Sequence, residues 1–223
     1  MKKSISLAAL IAVSSLFIIG CSKDDTEAPI ITLIGDNPLQ LEMLQTYSEP
    51  GATADDNEDG NISSSINVDA SDIDNTLPGS YSVFYSVSDA AGNPADAVRE
   101  VVVYATNNAM VDSYSVMDIC GTGAAADTFL YQQNITATGA STIAFNKFAD
   151  YSNNTGITAT ITGSGVITIP TQAALNIGMV AEDHDFAGTG SVTTAGFILN
   201  YTDKNNSSVP VATATCVATY TRN

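Results

Sequence analysis

The stretch Tyr81-Ser82-Val83-Phe84-Tyr85-Ser86-Val87-Ser88 decides the fold class. Tyr81, Val83, Tyr85 and Val87 alternate with small polar residues, and a side-chain period of two belongs to a strand with one buried face. Phe84 breaks the alternation. It is expected to cover a neighbouring domain or lie under a loop rather than stand exposed as a ligand platform. Around this stretch, residues 98–104 are another β-branched run, and residues 29–34 and 38–43 read as shorter strands. Gly35-Asp36-Asn37, Glu49-Pro50-Gly51, Asp59-Gly60-Asn61, Pro78-Gly79 and Gly92-Asn93-Pro94 separate them with turn chemistry. Short strands at this spacing predict a sandwich.

Composition changes near Thr106-Asn107-Asn108-Ala109, which marks a boundary. From Glu27 to Glu100 fourteen acidic residues face only Arg99, whereas Thr, Ala, Gly and Asn dominate from Asn107 onward. In that second half residues 114–120, 129–138, 142–148, 156–162, 165–170, 191–201 and 209–221 each read as a strand, with Gly and Asn between them. No helical periodicity of any length interrupts them. The chain is therefore expected to be all-β, an N-terminal sandwich followed by a C-terminal antiparallel β-barrel or second sandwich.

The 223 residues carry 24 acidic against 7 basic side chains, for a formal net charge of -17. Neutralising phosphates needs clustered Lys and Arg, so nucleic acid is excluded as a partner.

The N-terminus reads as a secretory signal over residues 1–20. Lys2 and Lys3 precede an apolar run, and Gly20-Cys21 follows it. The apolar run is short of the ~20 residues that a spanning helix needs. Phe17-Ile18-Ile19-Gly20-Cys21 resembles the lipobox of bacterial lipoproteins, although that family more often has Leu where Ile18 stands. The resemblance implies that Cys21 is the first mature residue, carrying palmitate-type acyl chains. Several chains hold a protein at a membrane where one anchors only marginally. Ser22-Lys23-Asp24-Asp25-Thr26-Glu27 resembles the Lys-acidic-acidic export signal of outer-membrane lipoproteins displayed on the cell surface; the alternative is a solvated acidic tether over residues 21–27.

Four motifs in order, Ala28-Pro-Ile-Ile-Thr-Leu-Ile-Gly35, Tyr47-Ser-Glu-Pro-Gly-Ala-Thr-Ala54, Asp55-Asp-Asn-Glu-Asp-Gly-Asn-Ile62 and Gly79-Ser-Tyr-Ser-Val-Phe-Tyr-Ser-Val-Ser-Asp-Ala-Ala-Gly-Asn93, resemble a bacterial Ig-like domain also found in a pesticidal crystal protein. That resemblance implies a seven-stranded sandwich over residues 28–105, used as a spacer or adhesion module. Residues 110–223 resemble calycin (lipocalin-like) domains through Ile143-Ala-Phe-Asn-Lys-Phe148, Val166-Ile-Thr-Ile-Pro-Thr-Gln172 and Cys216-Val-Ala-Thr-Tyr220.

With Cys21 lipidated, Cys120 and Cys216 remain in an oxidising compartment, in the first and last strands expected of the second domain. A disulfide is expected; two free buried thiols are the alternative. Asp55-Asp56-Asn57-Glu58-Asp59-Gly60-Asn61 places four carboxylates in seven residues, and Asp89 ends the neighbouring strand. Asp55, Asp56, Asp59 and Asp89 offer the oxygen donors that Ca²⁺ takes, without the EF-hand pattern; the alternative is a solvated acidic turn. No other cofactor is implied. His184, the sole histidine, lies in Glu182-Asp183-His184-Asp185 and reads as a surface-loop residue. There is no Gly-x-Ser-x-Gly elbow, and no Trp to form a sugar platform. Gly163-Ser164-Gly165 reads as a hairpin turn and not as a phosphate loop.

These features lead to an expectation of a lipid-anchored outer-membrane surface module without catalytic activity, binding glycans or envelope proteins. The first alternative is a carrier of small apolar ligands, with Phe129, Tyr131, Ile143, Phe145, Ile157, Ile161, Ile167 and Ile169 facing an open cavity. A glycan-processing accessory enzyme is the distant alternative.

Overall fold

A computed structural model describes residues 24–121, 126–151, 156–177 and 182–223, with side chains of 175–177 left aside. Residues 1–20, expected to be a signal segment, and Cys21 lie outside the described residues. All regular structure of any length is β. The first seven strands are β1 (Ile30–Leu33), β2 (Leu39–Glu42), β3 (Ala52–Asp56), β4 (Gly60–Asn61), β5 (Asn67–Asp69), β6 (Gly79–Ser88) and β7 (Pro94–Tyr104). They form two sheets, ordered β1-β3-β4 and β2-β7-β6-β5, with β2 parallel to β7 and the other pairs antiparallel. β3 was not expected; its Asp55 and Asp56 close a strand that the sequence presents as an acidic loop.

Val83, Tyr85 and Val87 on β6 point inward with Val101 and Val103 on β7, as the alternation requires. Arg99 is also fully buried there. Its guanidinium donates to the carbonyls of Ile34 (2.7 Å), Gly51 (3.1 Å) and Asp36, and its Nε donates to the Tyr85 hydroxyl at 3.0 Å. Glu49 stands 3.8 Å from it and accepts from the hydroxyls of Tyr47 and Tyr85 and the amide of Gly51. Burial pushes the Glu49 carboxyl up, but these hydrogen bonds and the Arg99 charge outweigh it and hold the group below its usual range.

The expectation for Phe84 is corrected. It is 48% exposed, opposite Val98 on β7, itself 46% exposed. Among the described residues no element covers this pair on the outer face of β6 and β7, and register sets the two side chains opposite one another.

The remaining strands are β8 (Ser113–Cys120), β9 (Asp127–Ala137), β10 (Thr142–Phe145), β11 (Thr158–Ile161), β12 (Val166–Ile177), β13 (Glu182–Thr193), β14 (Gly196–Asn205) and β15 (Ala212–Arg222). Each pairs antiparallel with the next, and β15 returns to β8, closing an eight-stranded up-and-down barrel. Closure leaves no sheet edge to protect. Cys120 and Cys216 are register partners in the closing pair, with Cα atoms 4.0 Å apart, and are joined by a disulfide.

Two expectations for this half are corrected. Residues 191–201 are not one strand: Thr193 pairs with Gly196 across the turn Thr194-Ala195, a hairpin whose loop residues carry no turn chemistry. Residues 182–190, to which the sequence assigns no strand, form most of β13. There the glycines do structural work. A Cβ at Gly188 would lie 2.5 Å from the Asn200 carbonyl oxygen and 2.6 Å from the Tyr201 Cβ, so only glycine lets β13 approach β14 there.

Sandwich and barrel share one continuous apolar cluster through Met43, Ala105, Ala109 and Met110. The Ala105 amide donates to the Gly163 carbonyl at 2.9 Å, and Arg222 at the end of β15 donates to the Ala109 carbonyl at 2.8 Å.

Candidate functional site

The barrel interior is built from alternate residues of every strand and is filled with rings. Phe148 lies 5.1 Å from Phe145, 5.2 Å from Phe186 and 4.9 Å from Tyr201 between ring centroids. Phe197 stacks on Tyr220 at 4.1 Å and meets Tyr114 edge-on at 5.2 Å. Of the eight residues expected inside, Tyr131, Ile143, Phe145, Ile157, Ile161, Ile167 and Ile169 are buried. Phe129 is the exception, 38% exposed. It has the inward parity of Tyr131 but stands near the start of β9, at the barrel mouth, where solvent reaches it.

One carboxylate is enclosed with the rings. Asp118, fully buried on β8, accepts from the hydroxyls of Tyr201 and Tyr131. Burial pushes its carboxyl above the usual range; the two tyrosines oppose the rise, and the charges of Asp203 and Asp150 add to it.

At the mouth, His184 is 4% exposed on β13, which corrects the surface-loop expectation. Glu182, His184 and Phe186 share one parity, with Asp183 and Asp185 on the other, so the alternation is present but its inward members are partly polar. His184 Nδ1 is bonded to Asp203 Oδ1, and its Nε2 lies 3.4 Å from Glu182 Oε2. The Tyr151 hydroxyl donates to Asp203 Oδ2 at 3.1 Å and lies 3.2 Å from the histidine Nδ1. Beside this cluster is a cavity of about 260 Å³, lined by Phe129 and Tyr151 and by the carboxylates of Asp127, Asp150 and Asp203. Ala149 and Asp150 adopt left-handed backbone, with φ of 53° and 59°. Cys120, which also lines the cavity, is tied into the disulfide with Cys216.

A larger concavity, about 490 Å³, lies on the outer wall across β12–β15. Register sets Thr168 beside Thr189 and Thr189 beside Asn200, with Ala187 beside Thr202 and Thr202 beside Thr215. The lining residues are hydroxyl, amide or aliphatic, and none is charged. The wall continues onto exposed Val217, Met117 and Leu130; Val217 pairs with Asn200, and Met117 with Leu130. Sequence alone missed this groove because β13 was not expected and its glycines carry no side chain to draw notice.

The acidic pole of the sandwich is arranged differently from the expected quartet. Carboxylate oxygens of Asp56, Asp89 and Asp25 lie within 4.8 Å of one another. Asp59 Oδ2 instead accepts from the Ala90 amide at 2.6 Å, and Asp55 Oδ1 accepts from Asn61 at 3.1 Å. Asp89 holds the side chain and amide of Asn93, both at 2.7 Å. Burial raises its carboxyl, and the hydrogen bonds from Asn93 and nearby amides overcome this and hold it below the usual range.

Residues 31–103 match the family described as bacterial surface protein, Ig-like domain, a span that ends before the barrel begins. No curated protein matches the chain. A lipoprotein from Bacteroides thetaiotaomicron is similar at 17% identity and a TM-score of 0.32, over 86% of this chain and 100% of that one. The structure of CBM51-2 in complex with GlcNAc and INT domains from Clostridium perfringens ZmpB is similar at 16% identity and a TM-score of 0.30; 87% of this chain matches 44% of that chain. A Bacteroides ovatus protein of unknown function is similar at 11% identity and a TM-score of 0.25, over 67% of this chain and 60% of that chain.

Proposed function

We propose that this protein is a lipid-anchored, non-catalytic cell-surface module in which the Ig-like sandwich carries the barrel, and the barrel binds uncharged glycans on its outer wall. The observation that carries the reading is the groove over β12–β15, lined by Thr168, Thr189, Asn200, Thr202 and Thr215 without a single charge. A molecule of net charge -17 repels acidic polymers, so an uncharged recess in it suits a neutral one. Threonine and asparagine side chains exchange hydrogen bonds with sugar hydroxyls, and the aliphatic surface of Ala187 and Val217 receives sugar C–H faces. The acyl chains on Cys21, implied by the lipobox resemblance, supply the membrane contact.

The carrier reading is disfavoured, because the rings of Phe145, Phe148, Phe186 and Phe197 occupy the space a ligand would need, and the mouth cavity is walled by carboxylates. The test is an array of neutral and acidic glycans probed with the wild-type chain and with Ala187→Phe, which fills the groove from outside. The proposal predicts retention on neutral glycans that Ala187→Phe abolishes. Retention on acidic glycans, equal retention by the variant, or no retention at all contradicts it.

A further inference from the structure

We infer that Asp25, Asp56 and Asp89 form a Ca²⁺ site that clamps the segment following Cys21 onto the sandwich. The three residues come from separate stretches: Asp25 from the acidic tether, Asp56 from the end of β3 and Asp89 from the turn between β6 and β7. Their ligand oxygens lie within 4.8 Å of one another. Ca²⁺ binds oxygen at about 2.3–2.6 Å, so two ligands of one ion stand no more than about 5.2 Å apart, a limit these oxygens meet; it accepts carboxylate and carbonyl oxygens in flexible geometry, whereas Mg²⁺ demands a near-octahedral set.

The independent observation is at Asp56, which is 9% exposed. Its Oδ1 accepts from the amides of Glu58 and Asp59, each at 2.9 Å, but its buried Oδ2 has no partner. An unpaired carboxylate oxygen removed from water is costly, and a cation beside it removes that cost. Arg99, the only basic residue from Glu27 to Asn107, cannot serve, because it is buried against the carbonyls of Ile34, Asp36 and Gly51. Further oxygens stand close by. Asn93 Nδ2 bridges the Asp25 carbonyl (3.2 Å) and Asp89 Oδ2 (2.7 Å), and Asp24, Glu27 and Glu58 line an adjoining cavity of about 220 Å³.

Binding there ties together the tether and the two turns at one pole of the sandwich. Asp25 follows Cys21 by only four residues, so the ion also fixes how the sandwich leaves its attachment point. The cation site itself stands whether or not Cys21 is acylated and whether or not the barrel binds glycans.

The experiment uses the full chain in detergent, chelated and then titrated with CaCl₂ or MgCl₂, read by melting temperature and by the rate of trypsin cleavage after Lys23. Saturating Ca²⁺ is expected to raise the melting temperature by at least about 4 °C and to slow cleavage at Lys23 several-fold, with a smaller response to Mg²⁺. Asp25→Asn, on the tether and outside the core, and Asp56→Asn each reduce both responses, whereas Asp55→Asn retains them. The inference is overturned if Ca²⁺ changes neither readout, if Mg²⁺ acts equally, or if Asp25→Asn responds as wild type does.

Discussion

The seven strands of the sandwich leave two sheets with open edges, whereas the eight strands of the barrel return to their starting point, and the two interiors differ accordingly. The sandwich encloses a guanidinium, Arg99, which must be met by three carbonyls, a tyrosine and Glu49. The barrel encloses rings, one carboxylate and a disulfide across its closing seam. In the first, order depends on a single charged hub whose partners come from distant loops. In the second, aromatic contacts are spread over many residues and the seam is fixed covalently. Polar specificity and distributed packing are two ways to define a small β module, and they fail differently.

The sharpest way to break the contrast is to open the seam. Cys120→Ser with Cys216→Ser releases a cross-link between residues 96 apart in sequence, and the chain-entropy argument gives a loss of about 4 kcal/mol. Urea unfolding followed by amide exchange should show the loss in β8 and β15, with the sandwich strands β6 and β7 retaining their protection. Equal loss in both modules would mean that they unfold as one unit. The next test acts on the hub. Arg99→Met removes the cation beside Glu49 and the guanidinium donor of the Ile34 and Asp36 carbonyls, while Glu49 keeps its bonds from Tyr47, Tyr85 and Gly51. A cost of about 3 kcal/mol, confined to the sandwich in the same exchange measurement, is expected.

Asp118→Asn tests the carboxylate buried among the barrel's rings. Because burial raises its folded pKa, the folded state binds the proton more tightly than the unfolded chain does. This group's contribution to stability is therefore greatest below the unfolded pKa of about 3.9 and falls as pH rises through the folded value. The difference in melting temperature between Asp118→Asn and wild type should shift in favour of the variant as pH rises from about 4 toward 7. A pH-independent difference would show that Asp118 ionises as easily in the barrel as in water. Least of all should happen at Phe84. Phe84→Ser, on the uncovered outer face, should change stability by no more than about 0.5 kcal/mol in urea unfolding.

Periodicity made β6 readable because Tyr81, Val83, Tyr85 and Val87 repeat an apolar residue at every second place, and the same rule placed most barrel strands. It failed on β13. There the inward positions hold Glu182, His184, Phe186, Gly188 and Gly190, so polar groups and absent side chains erase the apolar alternation. A histidine that finds Asp203 and Tyr151 across the barrel mouth looks, in one dimension, like a surface residue among acids. At the acidic pole, composition pointed to Asp55, Asp56, Asp59 and Asp89; the structure gathers Asp56 and Asp89 with Asp25, which comes from a stretch distant in sequence. The groove was not legible at all. It arises from the register of β12–β15 and from the approach permitted by Gly188, and register is a property of paired strands that a single chain does not display.

The claim that recognition occurs outside a filled barrel is tested most directly by threonine- and isoleucine-methyl NMR of the full chain, titrated with a neutral glycan retained on the array. Shifts are predicted at Thr168, Thr189, Thr202 and Thr215, with Ile143, Ile161 and Ile167 unchanged. Shifts at those three isoleucines with the threonines still would place the ligand inside and contradict the account.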